Sequence, residues 1–165
     1  SVKPVHILPM AVYAKSLKKV TDIKKKGLVT IPNDPSNGGR ALLLLQSAGL
    51  IKLKPGAGTT ATVLDIAENP RRLRFKEVEA AQVPRTIEDV DLAVVNSNYA
   101  IGVGLNPVTD SIYIEDKDSP YAVVVAARKG HANDKAVQAL ARALTTPKVK
   151  AFMLEKYKGG VVPAF

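Results

Sequence analysis

Cysteine and tryptophan are both absent from the 165 residues. Without cysteine there is no disulfide, no thiolate nucleophile and no cysteine-bearing zinc site. The two histidines, His6 and His131, are far apart and form no HxH or HxxxH spacing, so a histidine-based metal site is not expected. Aromatic residues make up 5% of the chain, which is thin for a protein that stacks bases on aromatic platforms. No apolar run approaches the roughly 18–20 residues that span a bilayer. The opening Ser1-Val2-Lys3-Pro4 has neither an initiating Met nor the apolar core of a signal peptide, and a processed or partly missing start is expected.

What is present is a globular composition with a basic balance. Hydrophobic residues make up 46%, and 24 basic against 15 acidic residues leave a formal net charge of +9. Segments of strand and helix type alternate. Strands are expected at Val5–Tyr13, Gly27–Pro32, Leu50–Leu53, Leu73–Val78, Asp91–Val95, Ser111–Glu115 and Tyr121–Ala127. Helices are expected at Leu17–Lys26, Ser36–Ala48, Thr62–Asn69, part of Glu79–Asp89, Asn98–Val103, Asp134–Leu144 and Pro147–Lys158. This alternation points to an α/β protein with mostly parallel strands. The length fits about one ordinary domain.

Two stretches carry candidate binding residues. Ile31–Arg40, IPNDPSNGGR, joins a strand to a helix. Asn33, Asp34, Ser36 and Asn37 are turn and cap types, and Gly38-Gly39 permit close backbone approach. Exposed N–H groups at a helix start attract carboxylate or phosphate, and Arg40 in the first turn suits a bidentate bond to a carboxylate. The stretch is neither a P-loop nor a dinucleotide fingerprint. It equally fits an ordinary capped helix with a surface arginine. The second stretch, NSNYA at 96–100, follows the apolar run DLAVV. Ligands in open α/β sheets sit at the carboxyl ends of strands. The Asn96 amide offers donor and acceptor together, suiting a zwitterion, and also suits a helix cap.

Glu115–Val125, EDKDSPYAVVV, carries acidic residues that could ligate calcium, but the spacing and glycine of a calcium loop are missing and the stretch reads as a solvated turn. No serine lies in a GxSxG context and no carboxylates pair as acid and base, so no catalytic constellation, metal site or cofactor is expected. Basic residues concentrate at 15–26 and 70–76. A nucleic-acid interface would use Lys24, Lys25, Lys26, Arg71, Arg72 and Arg74. Without aromatic interleaving they read as solvated charge, and no nucleic-acid partner is expected.

IPNDPSNGGRALLLLQSAGLIKLK resembles the NlpA/MetQ family of methionine-binding lipoproteins of bacterial ABC importers. The resemblance continues through TVLDIAENP, KEVEAAQVPR, DVDLAVVNSNYA, GLNPVTDSIYIEDKDSPYA and GGVVPAF, essentially the whole chain. It implies a type II periplasmic-binding-protein-like fold of two lobes that close on a free amino acid. Residues 1–15 and 118–165 would belong to a first, incomplete lobe, and 16–117 to the second. The resemblance places Arg40 on the ligand α-carboxylate and Asn96 on the polar end of the same ligand, with Ser36 and Asn37 adding N–H donors. In the family a further Asn follows SPY by two positions, where this chain has Val123. An apolar side chain there leaves a hydrogen bond unmade, at a cost of about 1–3 kcal/mol. The implied partners are methionine or a near relative and an ABC permease–ATPase complex, with the full-length protein lipid-anchored in the periplasm or on the outer face of the cell membrane. It implies no enzyme activity. The rival expectations are an interaction module that self-associates through an incomplete first lobe, and a basic nucleic-acid-binding domain.

Overall fold

The computed structural model describes residues 1–116 and 120–165. In chain order its strands and helices are β1 (Lys3–Ile7), β2 (Met10–Tyr13), β3 (Leu28–Pro32), α1 (Pro35–Ser47), β4 (Lys52–Leu53), β5 (Ile66–Glu68), β6 (Arg74–Val78), β7 (Leu92–Asn96), α2 (Ser97–Gly102), β8 (Tyr113–Ile114), β9 (Val123–Val125), α3 (Lys135–Leu144), α4 (Pro147–Tyr157) and β10 (Val162–Pro163). They form two compact units. One comprises Met10–Glu115, the other Ser1–Pro9 with Asp116–Phe165.

The larger unit is built on a five-stranded sheet in the order β6-β3-β7-β2-β8. Its central strands alternate their side chains between two apolar faces, as the pleat requires. Met10, Val12, Val29, Ile31, Leu92 and Val94 pack on one side, against Ala41, Leu42 and Leu45 of α1. Ala11, Tyr13, Ala93 and Val95 pack on the other, against Val83 and Ala100. Both faces are covered, and this is why DLAVV reads as an unbroken apolar run.

The expectation of mostly parallel strands is corrected. β3 pairs in parallel with β6 and β7, but β2 runs antiparallel to both β7 and β8. An apolar run reports burial on two faces, not the direction of the neighbour. The single strand expected over Val5–Tyr13 is two strands in two different sheets. Pro9, which has no N–H to give a ladder and restricts Leu8 before it, separates them. The helix expected at Leu17–Lys26 reduces to one 3-10 turn, Val20–Asp22, which starts with the Asp22 carboxylate accepting from the Lys19 N–H (3.2 Å) and ends where Ile23 returns to extended backbone. The helix expected at Thr62–Asn69 stops after Val63–Asp65. Asp65 Oδ2 accepts from the Thr62 N–H, and Ile66–Glu68 then pairs with β4 instead of coiling.

The smaller unit holds a three-stranded antiparallel sheet, β10-β1-β9, with α3 and α4. In α4, Thr146 Oγ1 accepts from the Val149 N–H and Pro147 occupies the first turn. Lys158 closes the helix in the left-handed region at φ 46°. The sequence reading assigns residues 10–15 to this unit's lobe, yet Met10–Tyr13 pairs residue by residue with Ala93–Asn96 in the larger sheet. The expected boundary between 117 and 118 lies outside the described residues.

Candidate functional site

Asp34 starts the site. It is the N-cap of α1, and its Oδ1 accepts from the Asn37 backbone N–H at 3.0 Å and from Ser36 Oγ at 2.9 Å. Of the Ser36 and Asn37 N–H groups expected to meet a ligand, that of Asn37 is given to Asp34. The anion bound there is the chain's own, because a carboxylate at the N-cap is a favourable partner for the first free N–H groups. Partial burial pushes the Asp34 carboxyl up, but bonds from the Asn37 N–H, the Asn37 side chain and Ser36 outweigh it and hold the group below the ordinary carboxylate range. Asp34 therefore adds stability in full above about pH 4, and loses it as the pH falls through its lowered folded value. Asp34→Ala should cost about 1–2 kcal/mol at neutral pH. Urea denaturation at pH 7 and at about pH 3 should show the difference between variant and parent shrinking in acid.

The Asn37 side chain passes this orientation on. Its Nδ2 donates to both Asp34 oxygens, at 3.1 and 3.0 Å, so its Oδ1 must face the other way. There it accepts from Asn96 Nδ2 at 2.8 Å. Asn96 is the last residue of β7 and the N-cap position of α2, yet its side chain makes no capping bond. Its amide nitrogen is committed to Asn37, and its Oδ1 is buried with no donor among the described residues. The relay from Asp34 through Asn37 fixes Asn96 as an oriented acceptor, in surroundings where an unpaired oxygen is costly.

Arg40 lies one turn after Asn37 on α1 and is 8% exposed. Its guanidinium grips Glu115. Nε donates to Oε1 at 2.9 Å and Nη2 to Oε2. Glu115 Oε2 also accepts from the Met10 N–H at 3.1 Å, and the Glu115 N–H donates to the Met10 carbonyl at 2.9 Å. Met10 is in turn the register partner of Asn96. The carboxyl end of β3, the start of β2, the end of β7 and the residue after β8 therefore bring Asn37, Arg40, Asn96 and Glu115 to one end of the sheet. Arg40 as an ordinary surface arginine is excluded. Glu115 as part of a solvated turn is corrected, because its side chain is only 12% exposed and is ion-paired. Ser36 is exposed at the rim of the cap. Val123 lies in β9 opposite His6, 43% exposed, and contributes only backbone to that ladder.

The glycines of the loop serve the chain itself. A Cβ on Gly39 would overlap the Thr59 carbonyl oxygen, and one on Gly38 would stand 2.9 Å from the Pro32 oxygen. The close backbone approach that the sequence suggests is thus made by the 57–61 turn.

This topology, with polar residues emerging where strands end, matches solved periplasmic substrate-binding proteins. A nutrient-binding protein from Burkholderia cenocepacia, solved bound to methionine, superposes with a TM-score of 0.93 at 46% identity, over 100% of this chain and 70% of that one. An ABC transporter periplasmic substrate-binding protein from Coxiella burnetii gives 0.92 at 42% identity, over 99% and 69%. The fold is the one these solved binding proteins share. The chain belongs to the NlpA lipoprotein family, whose model matches residues 1–165. Among relatives, the D-methionine-binding lipoprotein MetQ of Salmonella typhimurium is 42% identical over 164 residues, covering 98% of this chain and 60% of that protein. Lipoprotein 28 of Escherichia coli K12 is 45% identical over 161 residues, covering 96% and 59%. The chain thus spans about three-fifths of the length of these relatives.

Proposed function

We propose that this chain is part of the solute-binding component of an ABC-type importer, and that it takes L-methionine or a close relative. The observation that carries the reading is the Asn96 carboxamide, buried, held by Asn37 and left with an unspent acceptor beside the buried Arg40. An α-amino acid offers the matching pair of charges. Its ammonium donates to Asn96 Oδ1, and its carboxylate is drawn to the Arg40 guanidinium, which Glu115 holds in place. The methionine-bound Burkholderia cenocepacia structure and the MetQ relatives support this choice of ligand. Binding then favours a closed arrangement of lobes that a membrane permease and its ATPase recognise. The NlpA lipoprotein family places such a component outside the cytoplasm, on a lipid anchor.

Titration calorimetry tests the reading. L-methionine should bind the protein, and Arg40→Ala should abolish the signal. Val123→Asn restores the amide that the family carries at this position, and should tighten binding about tenfold or more. Absence of heat with every free amino acid and short peptide would overturn the proposal.

A further inference from the structure

At the opposite end of the same sheet from Arg40 and Asn96, two basic segments far apart in sequence are locked together. The Lys26 N–H donates to the Arg71 carbonyl at 2.8 Å, and the Arg74 N–H to the Gly27 carbonyl at 2.9 Å. Arg71 Nη1 reaches the Ile23 carbonyl at 2.6 Å, and Arg74 Nε the Lys26 carbonyl at 3.0 Å. These four bonds place Lys24, Lys25, Lys26, Arg71, Arg72 and Arg74 on one surface, where β3 and β6 begin. All but Arg71 are exposed. None of the six forms an ion pair among the described residues. The nearby carboxylates are committed, Asp22 to the Lys19 N–H and Asp91 to the Leu28 N–H. Residues 18–26 and 71–76 hold nine cations and one carboxylate, so nearly the whole net +9 of the chain comes from them. Lys26 and Arg72 also sit in the left-handed region, at φ 62° and 53°. Glycine or asparagine would take that conformation at less cost, yet both positions carry a cation.

We infer that this basic apex docks on the anionic phospholipid headgroups of the membrane that holds the protein. The family is one of lipoproteins, so the chain works beside a bilayer surface. A cluster of Lys and Arg held close to an anionic bilayer surface is attracted to its headgroups and sets which face of the protein meets the lipid. Each Lys or Arg at an anionic surface strengthens binding about fivefold. The aromatic ring within the basic segments, Phe75, packs against the core and offers bases no platform. Docked this way, the Arg40–Asn96 end of the sheet faces away from the lipid.

The test uses the non-lipidated chain and vesicles of phosphatidylcholine with about one-third phosphatidylglycerol. Cosedimentation should show binding that fades between about 0.05 M and 0.5 M salt, with none to pure phosphatidylcholine. The side chains of Lys24, Lys25 and Arg72 make no hydrogen bond among the described residues, so changing all three to Gln removes charge and spares the fold. That variant should bind about a hundredfold more weakly. Lys148, Lys150 and Lys156 on α4, changed together to Gln, remove the same charge elsewhere and should leave binding within a few-fold. Should the first triple variant melt early, Lys24→Gln with Lys25→Gln carries the same comparison, at about twenty-fivefold. Equal losses from both sets, no vesicle binding at low salt, or tighter binding to duplex DNA than to vesicles would each overturn the inference.

Discussion

Glu115→Ala is expected to destabilise the larger unit by about 3–5 kcal/mol, because it takes the paired carboxylate away from a guanidinium that water barely reaches. Arg40→Ala should cost a similar amount by stranding the carboxylate, together with the Met10 N–H bond that depends on its placement. The double change Arg40→Met with Glu115→Leu should recover most of the loss, since removing both charges also removes their desolvation penalty. A double-mutant cycle by urea denaturation reads this directly. Additive single losses would show that the pair is not coupled. The exposed pairs Lys15–Glu88 and Lys52–Glu68, whose side chains are more than half accessible, should give no measurable coupling in the same experiment. The cycle also separates the structural role of Arg40 from the binding role proposed for it. The Met/Leu double variant should fold and yet fail to bind methionine.

Gly39→Ala should cost about 3 kcal/mol, although alanine in a helix is ordinarily worth about 1 kcal/mol over glycine. The reason is steric. The added Cβ meets the carbonyl of Thr59, a backbone atom that cannot swing away. The 57–61 turn must lift from α1, and Ala61, which is 4% exposed, comes with it. Gly38→Ala meets a single oxygen at a looser distance and should lose less. Thermal melts of the two variants give the ranking. Equal melting temperatures would mean that the turn yields freely.

Much of this site was legible in the sequence, and the part that was not has a common cause. Arg40 and Asn96 stand beside local signals, a capped helix start in one case and the end of an apolar strand in the other. Glu115 has no such signal. It sits next to a run of acidic and turn residues that reads as solvent-exposed, and its partner lies 75 positions away. Met10 is less legible still. It contributes a backbone N–H and a register position, which any residue type but proline supplies. Asp34 was recognisable as a cap, but its second task, setting the Asn37 amide, appears only once Asn96 is alongside. In the fold, the same limit made Val5–Tyr13 look continuous and Thr62–Asn69 look helical. Local pattern does not say which sheet a strand joins.

The unspent carbonyl of Asn96 also bears on how this protein can evolve. A buried oxygen without a partner is a standing penalty, and an apolar residue of similar size at 96 would relieve it. On the function proposed above, drift toward a hardier fold would run through the position assigned to cargo recognition, and selection for robustness alone would erase that role first.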